Sequence, residues 1–215
     1  DDEFLITRLS HVVPALTIIS LYGGIESRMS RQEVLESWTR LKKEIRDIHE
    51  RQEGLVLIGD LNRAIGDGDL GVEGNHPTVS YGGRLIRELL EEQESDQEEQ
   101  KAQEKDKGVK YYLLNSLKET EGGPWMWISR IDSSVKSCLD LAIISANLLP
   151  YFSTMVIDSK QKFTPKKVVM RKGRETLIRS DHLPMLVLLK NMPKAKMSVE
   201  KKSHWNLPKP GGWEL

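Results

Sequence analysis

A helical segment held between two short β-branched runs constrains this chain most. Ala15 to Tyr22 (Ala-Leu-Thr-Ile-Ile-Ser-Leu-Tyr) has strand composition and ends at Gly23-Gly24. Ser30 then opens a helix, with Glu33 completing a Ser-x-x-Glu capping box. Val34, Leu35, Trp38, Leu41, Ile45 and Ile48 follow at spacings that put apolar residues on one helix face. Gly54 stops the connection, and Leu55-Val56-Leu57-Ile58 reads as a buried strand. Strand, helix and strand in that order form a crossover unit. The prediction is an α/β fold with a partly parallel, helix-covered sheet.

The 215 residues suffice for one domain with a sizeable core. We expect a domain over 1–192, a charged insertion over 91–108 and a basic tail or linker over 193–215. Gly82-Gly83 leads into a second helix carrying Leu85, Ile86, Leu89 and Leu90. Strands are predicted at 111–114, 125–128, 137–145, 154–158 and 183–189, with a turn over 148–152. Lys plus Arg equals Asp plus Glu at 32 each, so net charge points to no partner. The distribution says more, because 160–179 carries eight Lys/Arg against the single acid Glu175. That segment reads as a solvated hairpin or, beside a phosphate site, as a hold on a nucleic-acid backbone. One cysteine, Cys138, excludes an intrachain disulfide and leads us to expect a buried thiol and an intracellular protein, nuclear or cytoplasmic. No apolar stretch is long enough for a helical membrane span.

Two polar clusters stand at the ends of apolar runs. Gly59-Asp60-Leu61-Asn62 follows one, and Ser180-Asp181-His182 precedes Leu183 to Leu189. Each alone also suits a strand-to-turn exit or a cap. A third polar residue, Asp140, sits inside Cys138-Leu139-Asp140-Leu141-Ala142-Ile143-Ile144, where an unpaired carboxylate would be costly. Metal-assisted attack on a phosphate ester needs hard oxygen ligands, an oriented water and donors for developing charge. Asp60 can orient a water or bind metal, Asn62 can donate to a phosphate oxygen, and Asp181 can ligate metal. His182 can move a proton, with Asp140 the candidate for fixing its tautomer. Tyr22, at a strand end, can donate its hydroxyl to phosphate. Trp125 and Trp127 are expected in the core, and His11, His49, His76 and His204 at the surface or in loops.

Taken in order, these residues resemble the endonuclease/exonuclease/phosphatase superfamily. The resemblance runs from about Leu16 to Leu189 through Tyr22, Gly59-Asp60-Leu61-Asn62, Trp127, Leu139 to Ser145, and Ser180-Asp181-His182. The finer pattern is similar to endonuclease domains of non-LTR retrotransposon polyproteins, on Tyr81-Gly82-Gly83, Gly122-Gly123-Pro124, Lys136 to Asp140 and Trp205-Asn206-Leu207. The resemblance implies a four-layer sandwich: two mixed, largely antiparallel sheets flanked by helices. It implies a Mg²⁺- or Mn²⁺-dependent DNA endonuclease, with a reverse transcriptase domain downstream in the parent polyprotein. Asp60 and Asn62 would position water and phosphate, and Asp181 would lie at or beside the metal. His182 paired with Asp140 would contact the scissile phosphate, as would Tyr22.

Two departures bear on activity. The family opens with a strand bearing an Asn and another ending in a metal-ligating Glu, and nothing before Leu16 matches either. The expectation is a chain that starts after both motifs, with its first strands missing, and is weakly active or inactive. The family also often has an Asn soon after the strand tyrosine, where Gly23-Gly24-Ile25-Glu26 stands here, which makes Glu26 a candidate replacement ligand. Two competing expectations are a non-catalytic nucleic-acid- or partner-binding remnant and a phosphomonoesterase.

Overall fold

In the computed structural model, residues 3–66, 70, 78–91, 110–129, 134, 136–164, 166–171 and 174–195 are described. In chain order the elements begin with β1 (Glu3–Leu9), β2 (Leu16–Tyr22), α1 (Arg31–Glu50), β3 (Gly54–Asp60) and α2 (Tyr81–Glu91). Then come β4 (Tyr111–Leu113), β5 (Thr120–Glu121), β6 (Trp127–Ile128), β7 (Lys136–Ser137) and β8 (Asp140–Ser145). The remainder are β9 (Phe152–Ile157), β10 (Lys166–Arg171), β11 (Arg174–Arg179) and β12 (Met185–Leu189).

The crossover forms as the pattern requires. β2 and β3 pair in parallel from Leu16↔Gly54 to Tyr22↔Asp60, with α1 as the connection. Ser30 caps α1, its hydroxyl accepting from Glu33 N–H while the Glu33 carboxylate accepts from Ser30 N–H. Val34, Trp38, Leu41, Ile45 and Ile48 are buried on one α1 face. Leu35 is exposed instead, because it lies about 100° round the helix from its neighbour Val34.

Five strands make the main sheet in the order β1-β2-β3-β8-β4. Only β2 and β3 are parallel, so the sheet is mixed. β8, between β3 and β4, is buried at every residue. A second sheet has the order β12-β9-β5, antiparallel then parallel. Ile143 and Ile144 of the main sheet and Met155 and Ile157 of the second join one hydrophobic cluster with Leu148 and Leu183. Two ribbons, β6–β7 and β10–β11, complete the strands among the described residues. The predicted mixed α/β class is therefore the observed one.

Several local expectations change. The stretch before Leu16, for which no element was predicted, forms the seven-residue edge strand β1 paired along all of β2. The predicted strand over 137–145 is two pieces: Lys136–Ser137 pairs with β6, and the chain enters the main sheet only at Asp140. The segment 146–151 is a 3₁₀ helix rather than a turn. Gly82 and Gly83 lie inside α2, because the helix backbone runs against the loop after β3. A β-carbon at Gly83 would sit 1.8 Å from Ala64 O. Met126 is fully buried while Trp125 and Trp127 are half-buried. Pro193 O accepts from Val13 N, and Ala195 N donates to His11 O, so the start of the segment read as a tail is tied to the body. The rest of that tail, the charged stretch over 92–108, His76 and His204 lie outside the described residues.

Candidate active site

Register brings the first polar groups together. Tyr22 pairs with Asp60, and Asp60 pairs with Asp140. Paired positions on neighbouring strands project to the same face of a sheet. The ends of β2 and β3 and the start of β8 therefore present Tyr22, Asp60 and Asp140 side by side. Gly59 permits this approach: its φ is +148°, and a β-carbon there would meet Leu21 O at 1.9 Å.

His182 arrives from outside that sheet. Trp127 and His182 form an antiparallel bridge, with Leu183 N donating to Met126 O at 2.7 Å and Ile128 N to Asp181 O at 2.8 Å. The imidazole then reaches the ends of β3 and β8. Its Nδ1 lies 3.0 and 3.2 Å from the two Asp140 oxygens, and its Nε2 lies 3.7 Å from Asp60 Oδ2. Asp140 is 6% exposed, so the carboxylate predicted to need a partner has one.

Asn62 turns the chain back on Asp60. Its φ is +48°, a conformation asparagine tolerates better than most residues. Its N–H and its Nδ2 each donate to the Asp60 carboxylate at 3.0 Å. Nδ2 also donates to Gly23 O at 2.8 Å, so the amide braces the loop after β2.

The electrostatics of the group are strained. Burial, and then the nearby Asp140 charge, raise the Asp60 pKa, with His182 and Asn62 offsetting part of that. The Asp140 hydrogen bond raises the His182 pKa, and the charges of Asp140, Asp60 and Asp181 add to it. His182 is thus biased toward imidazolium, and Asp60 is an anion short of positive charge.

That shortage bears on metal binding. Asp60, Asp140 and His182 each offer a ligand atom within 4.8 Å of one another. A cation would relieve Asp60, and a carboxylate is the ligand a hard divalent ion prefers. Asp140 is already engaged by His182 Nδ1, so Asp60 is the best placed of the three donors. Asp181 lies outside this group of three, close enough to His182 for its charge to act on the ring.

Glu26, the candidate replacement ligand, is committed elsewhere. Its carboxylate accepts from Ser80 Oγ at 2.5 Å and from Gly82 N at 3.0 Å, at the start of α2. Tyr22 is more than half exposed, its ring at the strand end beside Asp60.

Sequence reasoning missed two supports of the site. Asn115 Nδ2 donates to Asp140 O at 3.2 Å and its Oδ1 accepts from Ala142 N at 2.9 Å, fixing the start of β8. A polar residue directly after the apolar run Tyr111 to Leu114 is the signal that picked out Asp60, and it would have picked out Asn115. Arg63, buried, donates to Gly24 O at 2.6 Å and lies 3.9 Å from Glu26. No pattern in the sequence marks it.

No family profile and no curated protein matches this sequence. Solved structures do match in fold. A 3′ phosphatase from Neisseria, NExo, bound to a product DNA hairpin, superposes with a TM-score of 0.53 at 16% identity, over 86% of this chain and 64% of that one. The 3′-5′ exonuclease NExo from Neisseria meningitidis gives 0.50 at 17% identity, over 88% and 70%. The catalytic domain of APE2 from Xenopus laevis gives 0.54 at 15% identity, over 90% and 57%. This chain shares their fold. It spans 64% of the NExo phosphatase and 57% of the APE2 domain.

Proposed function

We propose that this chain is part of a metal-dependent phosphodiesterase that cuts DNA, an endonuclease of the type found in non-LTR retrotransposon polyproteins. One observation carries the chemistry: an imidazole clamped by a buried carboxylate on one nitrogen, with a second carboxylate 3.7 Å from the other. In this reading Asp140 holds Nδ1 and leaves the Nε2–H facing a phosphate oxygen, where it donates a hydrogen bond and neutralises developing charge. Asp60, with its pKa raised, accepts a proton from the attacking water or orients it. Asn62 keeps Asp60 in place, and the Tyr22 hydroxyl reaches a second phosphate oxygen. Mg²⁺ or Mn²⁺ held by Asp60, with Asp181 alongside, would supply Lewis-acid polarisation of the phosphoryl group.

DNA as substrate draws support from two of the fold neighbours, an exonuclease and a phosphatase bound to a DNA hairpin. The basic 160–179 segment running straight into Asp181 and His182 supports it too. The retrotransposon type and a reverse transcriptase partner rest on sequence stretches such as Lys136 to Asp140 and Trp205-Asn206-Leu207. A second reading, a DNA-binding module without turnover, is favoured by Glu26, which is tied to Ser80 and Gly82 and so does not serve as a replacement ligand.

Plasmid nicking with Mg²⁺, with and without EDTA, separates the readings when the chain is compared with His182→Ala. EDTA-sensitive nicking that requires His182 supports the phosphodiesterase. Retention of DNA without nicking, unchanged by Mg²⁺, supports the binding module.

A further inference from the structure

Phe163 stands out among the apolar side chains because it is 80% exposed while its neighbour Thr164 is 3% exposed. The loop that carries it is fixed. The Asp158 carboxylate accepts from Lys162 N at 2.8 Å, Phe163 N at 2.7 Å, Thr164 N at 2.9 Å and Thr164 Oγ1 at 3.1 Å. An exposed phenyl ring on a braced backbone is a preorganised contact, since little order is lost when something covers it.

Its position connects it to the candidate active site. Ile157 pairs with Met185, and Asp158 N donates to Pro184 O at 3.0 Å. Pro184 follows His182 by two residues, so their α-carbons are at most about 8 Å apart. The Phe163 loop therefore leaves the second sheet at the end where His182 enters the site. Phe163 N lies within roughly 20 Å of His182 by that path, a few nucleotides along a strand.

The surroundings say what the ring would meet. Lys160 and Lys162 are exposed on the same loop. The ribbon that follows shows Val168 at 58%, Met170 at 65% and Leu177 at 54% exposure, with Val168 and Leu177 cross-strand partners. Exposed apolar groups within a segment of eight basic residues and one acid match a polyanion that also carries flat apolar faces.

We propose that Phe163 is a stacking platform for an unpaired base of a DNA strand whose phosphate lies at His182, with Lys160 and Lys162 on the strand's backbone. This rests on the phosphodiesterase reading and adds a preference for single-stranded or frayed substrate. Cation contacts give sequence-independent affinity with a strong salt dependence. Stacking adds affinity that salt does not screen and that a closed duplex, with its bases already stacked, does not gain.

The test is fluorescence anisotropy with the 215-residue chain in EDTA, using a labelled single-stranded oligonucleotide and the same sequence as a blunt duplex. Phe163→Ala is expected to weaken single-strand binding by about five- to 150-fold with the salt slope unchanged, and duplex binding by less than about two-fold. Phe163→Trp restores single-strand binding. Lys160→Ala and Lys162→Ala each lower the single-strand salt slope by about 0.7. Equal single-strand affinity in the parent and Phe163→Ala overturns the proposal and leaves the phosphodiesterase reading standing. Equal loss on both DNA forms without rescue by Trp overturns it as a folding effect. A dimer in sedimentation that Phe163→Ala dissolves, with DNA binding unchanged, assigns the face to a second copy and overturns it too. A parent chain that binds neither DNA form removes the phosphodiesterase reading and the stacking platform with it.

Discussion

Two carboxylates stand at opposite ends of β3, and the protein treats them oppositely. Glu53, just before the strand, is buried and surrounded by donors. Thr17 Oγ1 donates to it at 2.5 Å, Arg51 Nε at 2.9 Å, and Arg8 Nη2 lies 2.6 Å away. Burial works to raise its pKa, but Thr17 and the two arginines bring it below the ordinary value. Asp60, the last residue of the strand, accepts two hydrogen bonds from Asn62 yet faces a second carboxylate, with one imidazole 3.7 Å off, and its pKa is raised. The same strand thus ends in a satisfied charge that ties β1, β2 and α1 together and an unsatisfied one that awaits a cation or a proton. A site that must bind something charged keeps a charge uncompensated, and the cost appears in stability.

The largest effect tests the unsatisfied end. His182→Ala is expected to lower Mg²⁺-dependent nicking by about 10²- to 10³-fold, the usual cost of removing one donor to developing charge. Its urea midpoint should fall, because Asp140 is left buried without its partner, so nicking is scored per folded molecule. Nicking retained at the parent rate would place the chemistry elsewhere.

Next comes the satisfied end. Glu53→Ala should cost about 2–3 kcal/mol in urea unfolding, less than the ~3–5 kcal/mol of a fully buried pair. Arg8 and Arg51 are half exposed and can turn to water, which limits the loss. Nicking per folded molecule should hold. A stability unchanged by Glu53→Ala would make the two ends of β3 equivalent and remove the contrast.

A smaller and opposite change is expected from Asp60→Asn. Removing a destabilised anion should raise the urea midpoint, within the ~0.5–2 kcal/mol that relief of one unfavourable feature commonly yields, while nicking is lost. Loss of stability would mean that the Asn62 and His182 contacts outweigh the strain.

The smallest effect is in pH dependence, and its sign differs between the ends. Glu53 has a lowered folded pKa, so its stabilisation is full above about pH 4.3 and is lost as pH falls through the folded value. His182 has a raised folded pKa, so its stabilisation is full below about pH 6.5 and is lost as pH rises through the folded value. Asp60 shares the direction of His182 and loses stability as pH climbs from about 3.9. Unfolding titrations of Glu53→Gln should flatten the acid limb alone, and those of His182→Gln the limb above neutrality. A common pH profile for both variants would contradict the assignment.

Much of the fold was legible because its cues are local. The Ser30–Glu33 box, the 34-38-41-45-48 spacing and the β-branched runs depend on residues within one or two helical turns, and they set β2, α1 and β3 with little error. Where tertiary pairing decided the element, the local cue fell short. Residues 137–145 read as one strand because they are apolar apart from Ser137, Asp140 and Ser145, yet Ser137 belongs to a ribbon with Trp127 while Asp140 opens β8.

The site divides in the same way. Asp60, Asp140 and His182 could be singled out one by one, since a polar residue at the end of or within a buried run carries a desolvation cost that calls for a reason. Residue type and position along the chain determined that much. Which groups meet was decided by strand order and register: Asp140 and His182 are 42 positions apart and touch because β8 abuts β3 while the Trp127 bridge carries His182 over both. Glu26 had the right chemistry for a ligand and was taken by the start of α2, 54 to 56 positions away. A sequence states the energetic need of each side chain. Only the folded chain supplies the partner, because a hydrogen bond or an ion pair depends on distances of a few ångströms that chain separation does not encode.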